Sequence, residues 1–301
     1  MLQSKFCVSL QPNVPANDVF GTDVAIIKHY SNLGNVYLIS GDMSSLILND
    51  AVDFFIPNET KITYHWGKTR LTTHILPLPD KFIPLYTGQD TTCYVIDDFE
   101  SLHGDGVIAV IQDVSPNTII QQINISESTI DCILSCFDEI MEHHSKTEDE
   151  TKVVNLSWTT LRHPFLDDIV YMMSKRNLLF VCAAGNSGTD VSLYFPAGSD
   201  NVMTVGCTDE YDRVVPFGDV VCNYGEDVDI FAPGVDIDNN TGTSLACAIT
   251  TSAALHYIED NRSLTSQQLK QHIIDTAKKD ILYMDREIYS SSPNLLLQIP
   301  T

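Results

Sequence analysis

The sequence predicts an α/β fold: three layers, with a parallel sheet carrying helices on both faces, preceded by a small α+β unit. Three observations predict it. From Thr91 onward, short runs rich in β-branched and aromatic residues alternate with longer helical patterns, the signature of strand–helix–strand units. Residues 5–65 alternate in the strand manner with turn residues between and form a separate set. At 301 residues the chain can hold one large core plus a small extra domain.

The first unit opens with a strand at 5–10, where Lys5-Phe6-Cys7-Val8-Ser9-Leu10 alternates polar and apolar. A Pro- and Asn-containing connection leads to a strand at 23–30, a turn at Asn32–Gly34 and a strand at 35–40. Residues 43–52 are expected to be helical, since Leu46, Ile47, Ala51 and Val52 share a face, and Phe54-Phe55-Ile56 starts a last strand. A segment over 66–90 joins the two units, and Pro77, Pro79 and Pro84 bar regular structure within it. Residues 91–301 then give strands at 92–97, 118–123, 152–157, 178–183 and 201–207. Helices are expected at about 104–113, 126–143, 165–176, 244–259 and 266–276.

Composition narrows the function. With 17 basic and 40 acidic residues, the formal charge of −23 makes nucleic acid and anionic membrane poor partners. The hydrophobic fraction is 44% and no apolar run is long enough for a membrane span. Met1-Leu2-Gln3-Ser4-Lys5 leads straight into a strand pattern, without the basic and apolar regions of a signal peptide. Eight cysteines occur, none in CxxC, and Cys93, Cys182 and Cys247 lie inside strand or helix patterns, so reduced buried thiols are expected rather than disulfides or a zinc site. The reading is of an intracellular or virus-encoded protein.

Four side chains carry candidate chemistry. Ser244, in Thr241-Gly242-Thr243-Ser244, would stand in the first turn of an apolar helix, beside free backbone N–H groups and the positive end of the helix dipole, where an oxyanion could be held. A serine there is ordinarily a cap, so other residues must support a nucleophilic role. Ala183-Ala184-Gly185-Asn186 ends an apolar strand with an amide at its tip, and Tyr94-Val95-Ile96-Asp97 ends another with a carboxylate. His103-Gly104 then opens an apolar helix. Sites in such sheets form at the carboxyl ends of strands, where Asp97, Ser157 and Asn186 fall.

The ordered set of V-I-D, H-G, A-A-G-N, A-P-G at Ala232-Pro233-Gly234 and G-T-S resembles the subtilisin-like serine proteases (peptidase S8), in the branch that includes proteinase K and aqualysin. The resemblance implies Ser244 as nucleophile, His103 as general base and acid, Asp97 as the carboxylate orienting the imidazole, and Asn186 as oxyanion donor with the Ser244 N–H. Adjacent Asp98 is a rival to Asp97, but strand alternation sends the two to opposite faces and the family pattern selects Asp97. Ser157, Trp158 and Thr159 would form one wall of the primary specificity pocket and Ala183, Ala184 and Gly185 the other. His65-Trp66-Gly67-Lys68-Thr69-Arg70 resembles the start of the mature domain, and residues 1–65 the family's ferredoxin-like inhibitory propeptide. Processing is then expected near Tyr64, which would occupy the pocket as product.

The first unit also holds a decoy. Val24-Ala25-Ile26-Ile27-Lys28 imitates the aspartate strand with Lys28 in its place, but Val95-Ile96-Asp97 is followed directly by the histidine turn and fits better.

The chain departs from the family in five places. Only five residues separate Asp97 from His103, where relatives insert a strand and a loop; six extended steps still cover about 20 Å. The Asn124-Ile125-Ser126-Glu127 segment leaves little of the edge strand that clamps an extended peptide. Thr159 replaces a glycine, Gly106 a second histidine, and Ala248 a proline. No cofactor is expected. No DxDxDG loop appears, and the acidic pairs Asp167-Asp168 and Asp236/Asp238, candidate Ca²⁺ ligands by analogy with the family, read as ordinary solvated loop charges. The expected function is a self-processing endopeptidase with peptide or protein substrates and its own propeptide as inhibitor. The alternative is a subtilase fold with little or no activity that serves as a binding or assembly module.

Overall fold

The computed structural model describes residues 5–10, 24–29, 36–41, 52–57, 66–73, 82, 84–146, 150–285 and 287–300. The chain divides into two compact units, Met1–Tyr64 and His65–Thr301.

In the first unit, β1 (Lys5–Leu10), β2 (Val24–His29), β3 (Val36–Gly41) and β4 (Val52–Pro57) form one antiparallel sheet in the order β2-β3-β1-β4. β1 lies between two partners, with Phe6 opposite Ile39 and Val8 opposite Phe55. Val52, expected to close a helix, begins β4 instead; residues 43–51 of that expected helix lie outside the described residues, as does the processing segment at Tyr64.

The second unit starts with α1 (Trp66–Thr72), followed by β5 (Thr92–Asp97), α2 (His103–Val114), β6 (Ile119–Asn124), α3 (Ile130–His144), β7 (Lys152–Leu156), β8 (Thr160–Leu161), α4 (Pro164–Ser174) and β9 (Leu178–Ala183). After a 3₁₀ turn come β10 (Tyr194–Phe195), β11 (Val202–Thr208), β12 (Arg213–Val214), β13 (Ile230–Pro233), α5 (Thr243–Asp260), α6 (Ser266–Thr276), β14 (Lys278–Lys279), β15 (Tyr283–Met284) and β16 (Leu295–Leu296). The main sheet runs β14-β16-β13-β11-β9-β7-β5-β6, parallel except for β14 at its edge.

Its composition follows from position in the sheet. Leu178-Leu179-Phe180-Val181-Cys182-Ala183 is buried at every residue, as a parallel strand covered on both faces must be. Ile119-Ile120-Gln121-Gln122-Ile123-Asn124 stands at the edge and is mostly open, and its glutamines follow from that. Helix α5 is buried from Leu245 through Ile258, so a run of Ala, Cys, Thr and Ser replaces an amphipathic pattern. Two of its hydroxyls bond back within the helix: Thr250 Oγ1 donates to Ala246 O at 2.9 Å and Ser252 Oγ lies 3.2 Å from Ala248 O.

The N-terminal segment is anchored by specific polar contacts. Trp66 Nε1 donates to Val235 O at 2.8 Å, and the buried Arg70 guanidinium makes a fork to Asp212 at 2.7 and 2.9 Å. The tail after Asp280, which the sequence left unassigned, joins the sheet: Leu296 pairs with Phe231, and Leu297 N donates to Phe231 O. One expectation about the cysteines is overturned. Cys207 at the end of β11 and Cys222 are joined in a disulfide, whereas Cys93, Cys132, Cys136, Cys182 and Cys247 are free. Both partners are fully buried, and only the return of the 208–221 excursion brings them together.

Candidate active site

Parallel register sets the site. Ile96, Leu156 and Cys182 lie side by side on β5, β7 and β9, so Asp97, Ser157 and Ala183 form the next rung at the carboxyl edge. Asp97 is 2% exposed, and its Oδ1 lies 2.6 Å from His103 Nδ1 while accepting the Asp98 N–H at 2.8 Å. The five-residue connection therefore suffices to bring carboxylate and imidazole together.

Asp98 shapes that connection. Its Oδ1 accepts N–H groups from Glu100 at 2.9 Å and Ser101 at 3.2 Å; the Ser101 side chain first, and then these N–H groups, hold its carboxyl below the ordinary value. Leu102 adopts the left-handed conformation (φ 66°) and delivers His103 to the first position of α2. Gly104 is required by close approach: a Cβ there would fall 2.6 Å from the Phe99 ring and 3.0 Å from Asp97 Cβ. The Asp97 hydrogen bond raises the pKa of His103 above its ordinary value, against partial desolvation, with further support from the charges of Asp97 and Asp98. The His103 side chain is 45% exposed, and Nε2 makes no hydrogen bond among the described residues.

Helix α5 carries Ser244 in its first turn. Its N-cap is Gly242, with no side-chain cap, so Ser244 at the second helical position is not consumed in capping. Ser244 Oγ donates instead to Ser157 O at 3.1 Å, while Ser157 Oγ lies 3.2 Å from Ser244 O and 2.9 Å from Asn155 Oδ1. Helices α2 and α5 run parallel and in step. Ser252 Oγ reaches Ile111 O at 3.2 Å and His256 Nε2 reaches Val114 O at 3.1 Å. Ile111 is eight residues beyond His103 and Ser252 eight beyond Ser244, which puts the two starts at one level of the parallel pair. The Ser244 hydroxyl points at Ser157 O rather than at the imidazole in this resting arrangement; catalytic hydrogen bonds are commonly long or unmade without substrate.

The amide of Asn186 has a defined orientation. Its Oδ1 accepts both the Thr243 N–H and the Thr243 hydroxyl at 3.0 Å. A backbone N–H must meet an acceptor, so the amide nitrogen Nδ2 is the end left free to donate. The Ser244 N–H, in the first turn, has no intrahelical acceptor. The loop carrying Asn186 is held by Asn223, which the sequence reading missed. This fully buried amide donates to Ala184 O at 2.8 Å and accepts from Ser187 N at 3.0 Å and Thr189 N at 3.1 Å. Asn155 was also missed as a polar anchor; its Nδ2 bonds Thr251 Oγ1 at 2.9 Å beneath Ser157 and Ser244.

The chain segments leaving β7 and β9 both meet the start of α5: Ser244 Oγ donates to Ser157 O at 3.1 Å and Gly185 N donates to Thr243 Oγ1 at 3.1 Å. Trp158 Nε1 donates to Ile96 O at 2.9 Å, fixing the ring against the end of β5, and Thr159 faces Gly185. β8 pairs antiparallel with β10 behind them. Arg162 pairs with Asp167 at 2.9 Å, and among the described residues no group of three or more His, Cys, Asp or Glu is arranged to hold a metal.

A buried acid bonded to an imidazole, a serine at a helix start on the same edge and a free amide donor define the site of a subtilisin-like serine protease fold. The comparisons agree. Residues 107–290 match the subtilase family (peptidase S8), and the chain belongs to that family. It is 32% identical over 144 residues to proprotein convertase subtilisin/kexin type 9 of Mus musculus, a match that covers 42% of this chain and only 20% of that protein. It also superposes on the crystal structure of a cold adapted subtilisin-like serine proteinase with a TM-score of 0.69 at 25% identity, covering 79% of this chain and 99% of the other.

Proposed function

We propose that this chain is a serine endopeptidase of the proteinase K-like branch that uses Ser244, His103, Asp97 and Asn186. The observation that carries the reading is the 2.6 Å contact between Asp97 and His103 across a connection shortened to five residues. Asp97 holds the proton on Nδ1, leaving Nε2 as the base. Ser244 Oγ, turned from Ser157 O, attacks the scissile carbonyl carbon as its proton passes to Nε2. The resulting oxyanion accepts from Asn186 Nδ2 and the Ser244 N–H. The imidazolium then protonates the leaving amine, the acyl-enzyme forms, and water reverses the sequence to release the acid. Residues 1–65 act as an inhibitory propeptide that the same site removes by a cut between residues 58 and 66.

Intact-mass measurement of the freshly made full chain, with and without Ser244→Ala, tests this together with hydrolysis of an unfolded protein substrate. The proposal expects a cut in the 58–66 stretch and substrate turnover, both abolished by the substitution. A folded wild-type chain that stays whole and leaves the substrate intact contradicts it.

A further inference from the structure

The main sheet ends on one side in β6, and among the described residues no strand pairs with the outer edge of β6. Ile119 N donates to Thr91 O at 2.8 Å and Ile125 N to Asp97 O at 3.0 Å, so the odd-numbered residues turn their backbone groups toward β5. Alternation then sends the N–H and C=O of Ile120 and Gln122 outward. The register with β5 runs from Thr92 opposite Ile119 to Asp97 opposite Asn124 without a bulge. Proteins blunt such an edge with lysine, proline, a bulge or a covering segment. Ile119-Ile120-Gln121-Gln122-Ile123-Asn124 has no charge and no proline, and Ile119 is 54% exposed. Only the far end is occupied: Phe99 N donates to Asn124 Oδ1 at 3.1 Å, and Cys136 Sγ lies 3.7 Å from Asn124 O. From Ile119 to Gln122 the edge is a template for one more strand.

The surroundings of the edge define its occupant. The β5–α2–β6 and β6–α3–β7 connections step in opposite directions along the sheet, which for right-handed crossovers puts α2 and α3 on opposite faces of it. Residues 82–145, which hold β5, α2, β6 and α3, include eleven Asp or Glu and no Lys or Arg. Of these acids only Asp90 and Asp113 meet a Lys or Arg among the described residues, Arg262 at 3.9 Å and Lys68 at 2.5 Å. Asp105 on α2, Glu127 and Asp131 are exposed. A second copy of this chain, also at −23, would bring the same acids against one another. A strand with Lys or Arg at alternate positions would set its charges among them. We infer that β6 is a docking edge for an extended basic segment of a partner protein, which joins the sheet through backbone bonds to Ile120 and Gln122. This surface is distinct from the candidate active site: its open groups lie on the side of β6 away from β5 and toward the amino end of the strand. It requires nothing of Ser244, and it serves a chain that cuts peptides and one that only binds equally well.

The test uses the full chain carrying Ser244→Ala, so that no probe is cut. A ten-residue peptide alternating Lys with Val or Thr is titrated by fluorescence anisotropy beside a copy with Glu in place of every Lys. The Lys peptide is expected to bind at least tenfold more tightly, and to weaken at least tenfold between about 50 and about 300 mM salt. Amide exchange followed by NMR is expected to slow at Ile120 and Gln122 when that peptide is bound. Gln122→Pro removes an outward N–H without touching a bond to β5, and Gln122→Lys places a like charge on the edge. Each is expected to weaken the Lys peptide at least tenfold, with thermal melting to confirm the fold; should the proline variant not fold, the lysine variant decides. Absence of binding, equal binding of the Glu peptide, unprotected amides at Ile120 and Gln122, or undiminished binding in a folded variant overturns the proposal. A peptide-free dimer that Gln122→Lys dissolves overturns it too, since the edge would then belong to a second copy.

Discussion

At the residue scale the site depends on directed hydrogen bonds, and each predicts a separate loss. Asp97→Asn keeps the shape of the side chain but presents a neutral, partly donating group to His103. Turnover is expected to fall by about 10³–10⁴-fold in steady-state kinetics. It should also move the pH profile. Asp97 is the largest cause of the raised His103 pKa, so the wild-type acid limb rises with pH through a value above the ordinary imidazole range. In Asp97→Asn that limb moves to lower pH, and an unmoved limb in a folded variant refutes the assignment. In the proposed mechanism Asn186→Ala removes an oxyanion donor, and with it the acceptor of the Thr243 N–H and hydroxyl. A drop of about 10²–10³-fold in kcat with little change in KM is expected, the cost of losing the same kind of donor in subtilisin.

At the scale of elements, the loops after β7 and β9 are placed by buried amides. Asn223 holds the β9 loop by one donated and two accepted backbone bonds, and it sits against a glycine at φ +98°. Gly185→Ala would push a Cβ to 2.4 Å from Asn223 Nδ2. Denaturant unfolding should show a loss of about 1–3 kcal/mol, from backbone strain and the displaced hydrogen bond, with reduced activity in what remains folded. Unchanged stability would mean that Asn223 does not hold this loop in place. This is also where reading the sequence reached its limit. Strands 92–97 and 178–183 and helix 266–276 were legible to the residue, because buried apolar runs and a Thr265 cap with Gln268 mark their ends. Asp97, His103, Ser157, Asn186 and Ser244 were singled out by their places at strand ends and helix starts together with the ordered resemblance to the subtilisin-like pattern, and the structure brings Asp97 to His103 and Ser244 to Ser157. Asn223 was not, since nothing local distinguishes an amide that spans 39 residues to Ala184 from a turn residue. The Cys207–Cys222 bond was hidden for the same reason: both thiols read as ordinary buried cysteines, and their pairing exists only in the assembled fold.

At the scale of the whole molecule, the second unit ties its first helix and its last strand to the rest of its fold. Helix α1 is tied to the sheet by Trp66 and Arg70, and the tail returns through β16, with Ile299 N donating to Leu71 O at 3.2 Å. Arg70 and Asp212 have side-chain exposures of 1% and 10%, so removing one partner leaves a buried charge uncompensated. Arg70→Ala is expected to cost about 3–5 kcal/mol in equilibrium unfolding, and a loss below 1 kcal/mol would show that this clasp contributes little. The family match begins at Val107, after both Asp97 and His103. The acid and base therefore rest on the geometry of β5 and α2, and the shortened link between them is the feature on which catalysis stands or falls. The most direct measurement is the pH dependence of phosphonylation of Ser244 by a fluorophosphonate in the folded full chain. The account predicts one label on Ser244, a rate that climbs through a raised histidine pKa, and slowing on the order of 10³-fold or more in Asp97→Asn. A folded chain that takes no label, or one labelled at Ser244 equally fast with and without the Asp97 carboxylate, would contradict it and leave a subtilase fold that binds without cutting.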